Sequence, residues 1–281
     1  MTLPSNSGKE TTDPVTHASD TNKPPILIAI DGPAGAGKST IARQLAARLR
    51  VPYLDTGAMY RAVGLLAMRE GLLPPYSEGQ GKRLGQLVQR HALDFRPEQG
   101  GFRVLIDGED VSKQLRTPEA SEAASAVSAV SAVRRALVPL QREMAAKNGG
   151  VMEGRDIGSV VLPDADLKVF LTAASDERAR RRHAELRGRG VEAAVAEVLA
   201  SQQKRDMQDS SRADSPLQVA AGSVVIDSTQ MTPDQVVERI LQELERRRAK
   251  PLDTPGGDAV KSRNHGRLAH DSGLPVEEER F

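Results

Sequence analysis

The chain has 281 residues, 39 Lys and Arg against 38 Asp and Glu, no cysteine and only 2% aromatic residues. That length can bury one good-sized core with flanking segments. A formal net charge of +1 supplies no global field for nucleic acid or a membrane surface. The lack of cysteine excludes disulfides and thiolate metal sites and fits a reducing, cytoplasmic setting. No apolar run approaches the ~18–20 residues of a membrane span, and no apolar segment of a secretory signal opens the chain.

Residues 1–24 are rich in Ser, Thr, Asn, Asp and Pro and are expected to be a disordered tail. An apolar run then predicts a buried strand over 26–31, and Gly32-Pro33-Ala34-Gly35-Ala36-Gly37-Lys38-Ser39 follows it directly. This is G-x-x-x-x-G-K-[ST], placed between a strand and a helix expected over 38–50. The glycines at 32, 35 and 37 let the backbone wrap a phosphate with its N–H groups pointing inward. The helix N-terminus adds its positive partial charge. Lys38 would reach the β/γ-phosphates and the Ser39 hydroxyl would hold Mg²⁺, so residues 32–40, through Thr40, imply a nucleoside triphosphate site.

A short strand at 51–54 delivers Asp55-Thr56-Gly57-Ala58-Met59-Tyr60-Arg61 into a helix over 57–69. A hydroxyl and a guanidinium there suit an incoming phosphate; an N-cap followed by a surface arginine reads equally plainly. Residues 93–116 break the strand–helix alternation and read as a small antiparallel insertion with a turn at Asp107-Gly108-Glu109-Asp110. Ser-Ala-Val then occurs three times over 125–133, an Ala-rich helical stretch leading to a helix at 132–146.

A strand at 150–153 runs into Glu153-Gly154-Arg155-Asp156-Ile157-Gly158. Loops at the carboxyl ends of parallel strands form the binding crevice, so Arg155 and Asp156 should point into it. Asp31 and Glu153, each ending a strand, are candidates to hold a Mg²⁺-bound water. After a strand at 167–171, helices are expected at 175–187 and 191–207, carrying Arg178, Arg180, Arg181 and Arg182 and then Arg205, Asp209 and Arg212. Two arginine-bearing helices joined by a Gly-containing bend suit a closing lid, although charge runs are usually solvated faces. If the segment stays helical through 212, Arg205, Asp209 and Arg212 lie on one face. A strand at 223–227 and a helix at 232–248 complete the core, and 249–281 reads as a second disordered tail whose His265, Arg267 and His270 are solvated.

In this order the motifs resemble the bacterial cytidylate (CMP) kinase family, a branch of the P-loop nucleoside monophosphate kinases. The resemblance runs over about residues 25–248 and adds Gly108-Glu109-Asp110-Val111-Ser112 and Val225-Ile226-Asp227-Ser228-Thr229 to the segments above. It implies a P-loop NTPase α/β fold, three layers α/β/α around a central parallel sheet. A monophosphate-binding insertion at about 56–150 and a helical lid at about 178–212 complete it. It implies ATP and Mg²⁺ as cofactors and CMP and dCMP as substrates; nothing in the core demands more than a monomer, and the charge balance points to no nucleic-acid or membrane partner. Arg61 and Arg155, with Thr56 beside them, are then contacts to the acceptor phosphate. Ser125, Arg134 and Asp156 are contacts to cytosine, and Arg205 and Asp209 to ribose. Arg212 reaches toward phosphate, and Arg178, Arg181 and Arg182 belong to the lid. Lys38, Arg61, Arg155 and Arg212 would carry the catalysis. The Ser-Ala-Val repeat leaves a three-residue slip open at Ser125 and Arg134.

Other readings remain at this point. A sister kinase could act on AMP, UMP, dTMP or shikimate; the insertion and the 153–164 stretch speak against it. A nucleotide-dependent switch would lack a reason for so many arginines, and no Asn-Lys-x-Asp guanine motif is present. A nucleic-acid-binding role is opposed by the charge balance and the scarcity of aromatics.

Overall fold

The structure is a computed structural model, and it describes residues 25–98 and 101–249. The expectations for 1–24 and 250–281, including His265, Arg267 and His270, lie outside the described residues. In chain order the elements are β1 (Leu27–Asp31), α1 (Lys38–Leu49), β2 (Tyr53–Asp55), α2 (Thr56–Arg69), α3 (Glu78–Arg90), β3 (Leu93–Glu98), β4 (Gly101–Ile106) and β5 (Glu109–Asp110). Then come α4 (Pro118–Ser128), α5 (Ser131–Asn148), β6 (Gly150–Gly154), β7 (Leu167–Thr172), α6 (Ser175–Gly188), α7 (Val195–Ser210), β8 (Val224–Asp227) and α8 (Pro233–Ala249). A single π-helical turn, Ile157–Val161, follows β6.

Five strands form one parallel sheet in the order β2-β6-β1-β7-β8. Side chains alternate across a strand, and β1 shows the result. Ile28 and Ile30 pack with Ile41, Leu45 and Ile240 of α1 and α8, whereas Ala29 faces the cluster holding Met59, Val63 and Leu137 of α2 and α5. Both faces are covered, giving the expected three layers. β3, β4 and β5 form a separate antiparallel sheet within the expected 93–116 segment.

The register fixes where chemistry can sit. Asp31 at the end of β1 lies opposite Gly154, and Asp55 at the end of β2 lies opposite Glu153. The phosphate loop, the Asp55–Arg61 turn and the Glu153–Asp156 loop therefore leave the sheet at one edge, the carboxyl ends of its three central and flanking strands.

Three local differences from the sequence reading have physical causes. The second helix of the α6–α7 pair starts at Val195 rather than 191. Gly190 is left-handed at φ 75°, and the Glu197 side chain accepts from the Ala194 N–H to fix the helix start there. Thr117 caps Ala120 N–H and Pro118 occupies the first turn of α4, a helix that turns by 102° into α5. Helix α3 was not anticipated because glycines at 79, 81 and 85 resemble breakers. Gly85 instead permits close approach: a Cβ there would lie 2.9 Å from Ala132 Cβ and 3.1 Å from the Ala132 carbonyl oxygen. A capping box of Ser77 and Gln80 starts this helix. Among the described residues no single helix is long and apolar enough to cross a membrane.

Gly85→Ala should cost about 1–3 kcal/mol by wedging α3 from α5. Gly79→Ala, on the same helix with nothing within 4 Å, should be neutral or stabilising by up to about 1 kcal/mol. Urea denaturation of the two variants checks the contrast.

Candidate active site

Gly37 caps α1 with φ 94°, and the loop before it turns its backbone into a cleft of about 1740 Å³. Lys38 is buried and its Nζ donates to the Pro33 carbonyl at 2.8 Å. Burial, and then the Arg155 and Arg205 guanidiniums, hold its pKa below the ordinary lysine range, while Glu153 and Asp209 oppose the shift. An incoming phosphate would reverse this balance and favour the charged ammonium. Ser39 and Thr40 are exposed at the helix start and line the same cleft.

Across the cleft, four guanidiniums from three segments converge. Arg61, on α2, is held by Asp55 at 2.7 Å, while the other Asp55 oxygen caps Ala58 N–H. Thr56 Oγ1 donates to the Glu153 carbonyl at 2.7 Å, tying the start of α2 to β6. Arg155 Nε donates to Asp209 at 2.8 Å, and Asp209 also pairs with Arg212. Arg205 lies among them, its pKa pulled down to about 10 by burial, by Arg155, and by Arg61 and Arg212, with Asp209 opposing. The Nε atoms of Arg61, Arg205 and Arg212 are buried without a partner. Buried donors without acceptors beside surplus positive charge fit an anionic ligand.

Beyond this cluster Arg134 and Asp156 pair directly, 4% and 5% exposed, and the Arg134 guanidinium lies 5.5 Å from the Tyr60 ring centroid. Arg134 Nη1 also donates to the Ser128 carbonyl at 3.2 Å, and Arg212 donates to Ser128 Oγ at 2.8 Å. Ser125 lines the cleft one helical turn earlier, 3.5 Å from Gln208 Oε1. The Ser-Ala-Val repeat thus brings two serines to the site, and Ser128, the one that joins Arg134 to Arg212, was missed. Its only sequence signal was the repeat itself.

Two carboxylates expected near a metal are differently engaged. Asp31 accepts from the Ile157 and Gly158 N–H groups at 2.8 and 2.7 Å, and burial pushes its pKa up to about 6 against those bonds. It anchors the π-helical turn behind Asp156. Glu153 is buried and accepts from the Tyr53 hydroxyl at 2.5 Å. Among the described residues no three His, Cys, Asp or Glu side chains cluster as a metal cage. That donor set fits a magnesium ion carried by nucleotide phosphates and touched by one hydroxyl, Ser39, with Glu153 close to Lys38.

The expected lid arginines divide. Arg181 donates to the Ser228 carbonyl at 2.7 Å and lies beside Gly37, so it borders the phosphate loop. Arg182 pairs with Glu185 at 2.8 Å and lines the cleft. Arg178 is buried and spent on the Ala173 and Ala34 carbonyls and on Asp206. Tyr60 and Asp206 sit inside the Asp55–Arg61 and Arg205–Arg212 segments without a role assigned to them by sequence, and Tyr53 lies in the strand before Asp55.

The buried Arg134–Asp156 pair yields a prediction. Asp156→Ala should destabilise the protein by about 3–5 kcal/mol, since it strands a buried guanidinium, and the double variant Arg134→Met/Asp156→Leu should recover most of that loss. Chemical denaturation of the two variants measures both.

The description "cytidylate kinase" belongs to the family whose sequence model matches residues 28–246. The cytidylate kinase of Caldanaerobacter subterraneus subsp. tengcongensis is 46% identical over 217 residues, 77% of this chain and 93% of the relative. That of Solibacter usitatus is 46% identical over 225 residues, covering 79% and 94%, and that of Geobacter sp. strain M21 is 44% identical over 225 residues, covering 80% and 95%. The matched span holds the phosphate loop, the guanidinium cluster and the buried Arg–Asp pair, and the chain belongs to the cytidylate kinase family.

Proposed function

We propose that this chain transfers the γ-phosphoryl group of ATP to the phosphate of CMP or dCMP, giving ADP and CDP or dCDP, in the cytoplasm. The observation that carries the reading is the set of unpartnered buried guanidinium nitrogens on Arg61, Arg205 and Arg212, facing a phosphate loop across one cleft. Family membership supports the same activity.

In this reading residues 32–40 cradle the donor phosphates. Lys38 neutralises charge that builds on the transferring group. Arg61 and Arg155 hold the acceptor phosphate in line, and Arg212 joins them. Positioning and electrostatics supply the catalysis, because the acceptor is already an anionic oxygen and needs no dedicated base. Magnesium, held by Ser39 and the nucleotide phosphates, would add charge neutralisation at the donor. Segment 56–150 acts as the acceptor-binding insertion and α6–α7, about 178–212, as a lid. All residues used come from one chain, so the reading requires no second subunit.

Base selection follows from the buried pair. Asp156 accepts from the cytosine amino group, and Arg134, with Ser125 or Ser128, donates to the ring acceptors. Uracil would set a carbonyl oxygen against the Asp156 carboxylate and leave buried groups unpaired, which discriminates strongly. Arg205 and Asp209 face the ribose.

A coupled ADP-release assay with ATP, Mg²⁺ and CMP, dCMP, UMP, AMP, dTMP or shikimate tests the reading. Turnover confined to CMP and dCMP is expected; turnover on a different acceptor overturns the base assignment. Lys38→Met should lower kcat by about 10³-fold, and an unchanged kcat removes Lys38 from the mechanism.

A further inference from the structure

We propose that Asp206 is a positioning residue that, with Arg178, clasps Ala34 of the phosphate loop, through the N–H and C=O of its two adjoining peptides, to helix α7 and thereby couples the grip on the donor to the grip on the acceptor. The inference rests on the donor and acceptor assignments above and concerns how they communicate.

The clasp closes on Ala34, in the middle of the loop. The Ala34 carbonyl accepts from Arg178 Nη1 at 2.9 Å, and the Ala34 N–H donates to Asp206 Oδ1 at 3.2 Å. The other Asp206 oxygen accepts from the same Arg178 nitrogen at 2.5 Å. One loop residue, a guanidinium from α6 and a carboxylate from α7 thus form a closed ring of three contacts. Arg178 is anchored from behind by the Ala173 carbonyl at 3.0 Å and Ser175 Oγ at 3.2 Å. The ion pair is shielded, with side chains 8% and 20% exposed.

A second contact runs parallel to the first. Gln202, one turn earlier on α7, donates to the Arg178 carbonyl at 3.3 Å. It lies so close to Gly35 that a Cβ there would come within 2.4 Å of Gln202 Nε2. Helix α7 therefore touches two successive loop residues, Ala34 and Gly35, from two of its own turns.

The placement of Asp206 along α7 gives this contact its meaning. Arg205 precedes it by one residue, and Asp209 follows by three, about 4.5 Å along a rigid helix. Asp209 in turn holds Arg155 and Arg212. A shift of the loop corner on gripping donor phosphates is transmitted through Asp206 to the residues that face the acceptor. Charge argues in the same direction. A lone carboxylate beside a phosphate-binding loop would repel its ligand, and pairing with Arg178 offsets that repulsion while keeping the tether. Neither residue is needed for contact with a substrate, so the role is positioning and not catalysis.

The test is calorimetric titration of the full chain with CMP and Mg²⁺, with and without a saturating non-hydrolysable ATP analogue. In the wild type the analogue should tighten CMP binding at least 5-fold, within the usual span of coupling between sites. By reciprocity CMP should tighten the analogue by the same factor. Asp206→Asn preserves side-chain volume but breaks the ion pair, and should reduce that factor to below 2-fold. It should lower kcat more than it raises KM for ATP alone. Arg178→Met added to Asp206→Asn should reduce the coupling no further. Asp206→Asn that keeps the wild-type coupling overturns the proposal, as does a wild type that binds both ligands with no coupling. A wild type that binds the analogue but not CMP overturns the acceptor assignment first, and the clasp with it. If Asp206→Asn does not fold, Gln202→Ala removes the parallel contact and should still lower the coupling measurably; retention of full coupling there also overturns the proposal.

Discussion

Positive charge crowded at the end of a parallel sheet must be held in place, and this constraint orders the rest of the molecule. Desolvating a guanidinium costs several kcal/mol unless a carboxylate and further hydrogen bonds compensate. Here the compensating acids come from three segments: Asp55 from the end of β2 for Arg61, Asp156 from the loop after β6 for Arg134, and from α7 both Asp209, for Arg155 and Arg212, and Asp206, for Arg178. The pairs are not there chiefly for stability, since buried ion pairs rarely outperform apolar packing. They fix where the segments must lie relative to one another. Among the guanidinium nitrogens that remain buried and unpaired, the Nε atoms of Arg61, Arg134, Arg205 and Arg212, lies the part of the charge left for a ligand.

The frame was legible in the sequence wherever the signal was local. The phosphate loop sits between an apolar strand and an amphipathic helix, and all five parallel strands were expected within a few residues of where they occur. The antiparallel sheet broke the helix–strand alternation and was visible for that reason. Helix α3 was not, since glycines at 81 and 85 signal breaks until the partner helix they approach is known. The same nonlocality hid Ser128, whose role depends on Arg134 and Arg212 meeting it from two directions.

The acidic residues were the hardest to read. Asp31 ends a strand beside a phosphate loop, a natural place for a metal-bound water, yet its two oxygens anchor the turn that carries Asp156. Arg178 belonged by sequence to an arginine run of a solvated or lid-like face, but only it among Arg178, Arg181 and Arg182 is buried against the loop. Residue type and spacing identify which groups can ionise. Which partner each one finds depends on where the fold places it, as Asp31 meets the Ile157 and Gly158 N–H groups more than a hundred residues away.

The mutual burial of Arg134 and Asp156 bears on how such a protein can diversify. A recognition element exposed to water can be exchanged one residue at a time, each intermediate remaining folded. Here a change to either member leaves a charge stranded inside the protein, so intermediates along most single-step routes fall below the stability threshold for function. Under the base assignment proposed above, new base preferences are then reached by paired substitutions, or only after stabilising changes elsewhere have been acquired. In that assignment the same burial that would make selection stringent also makes it slow to drift.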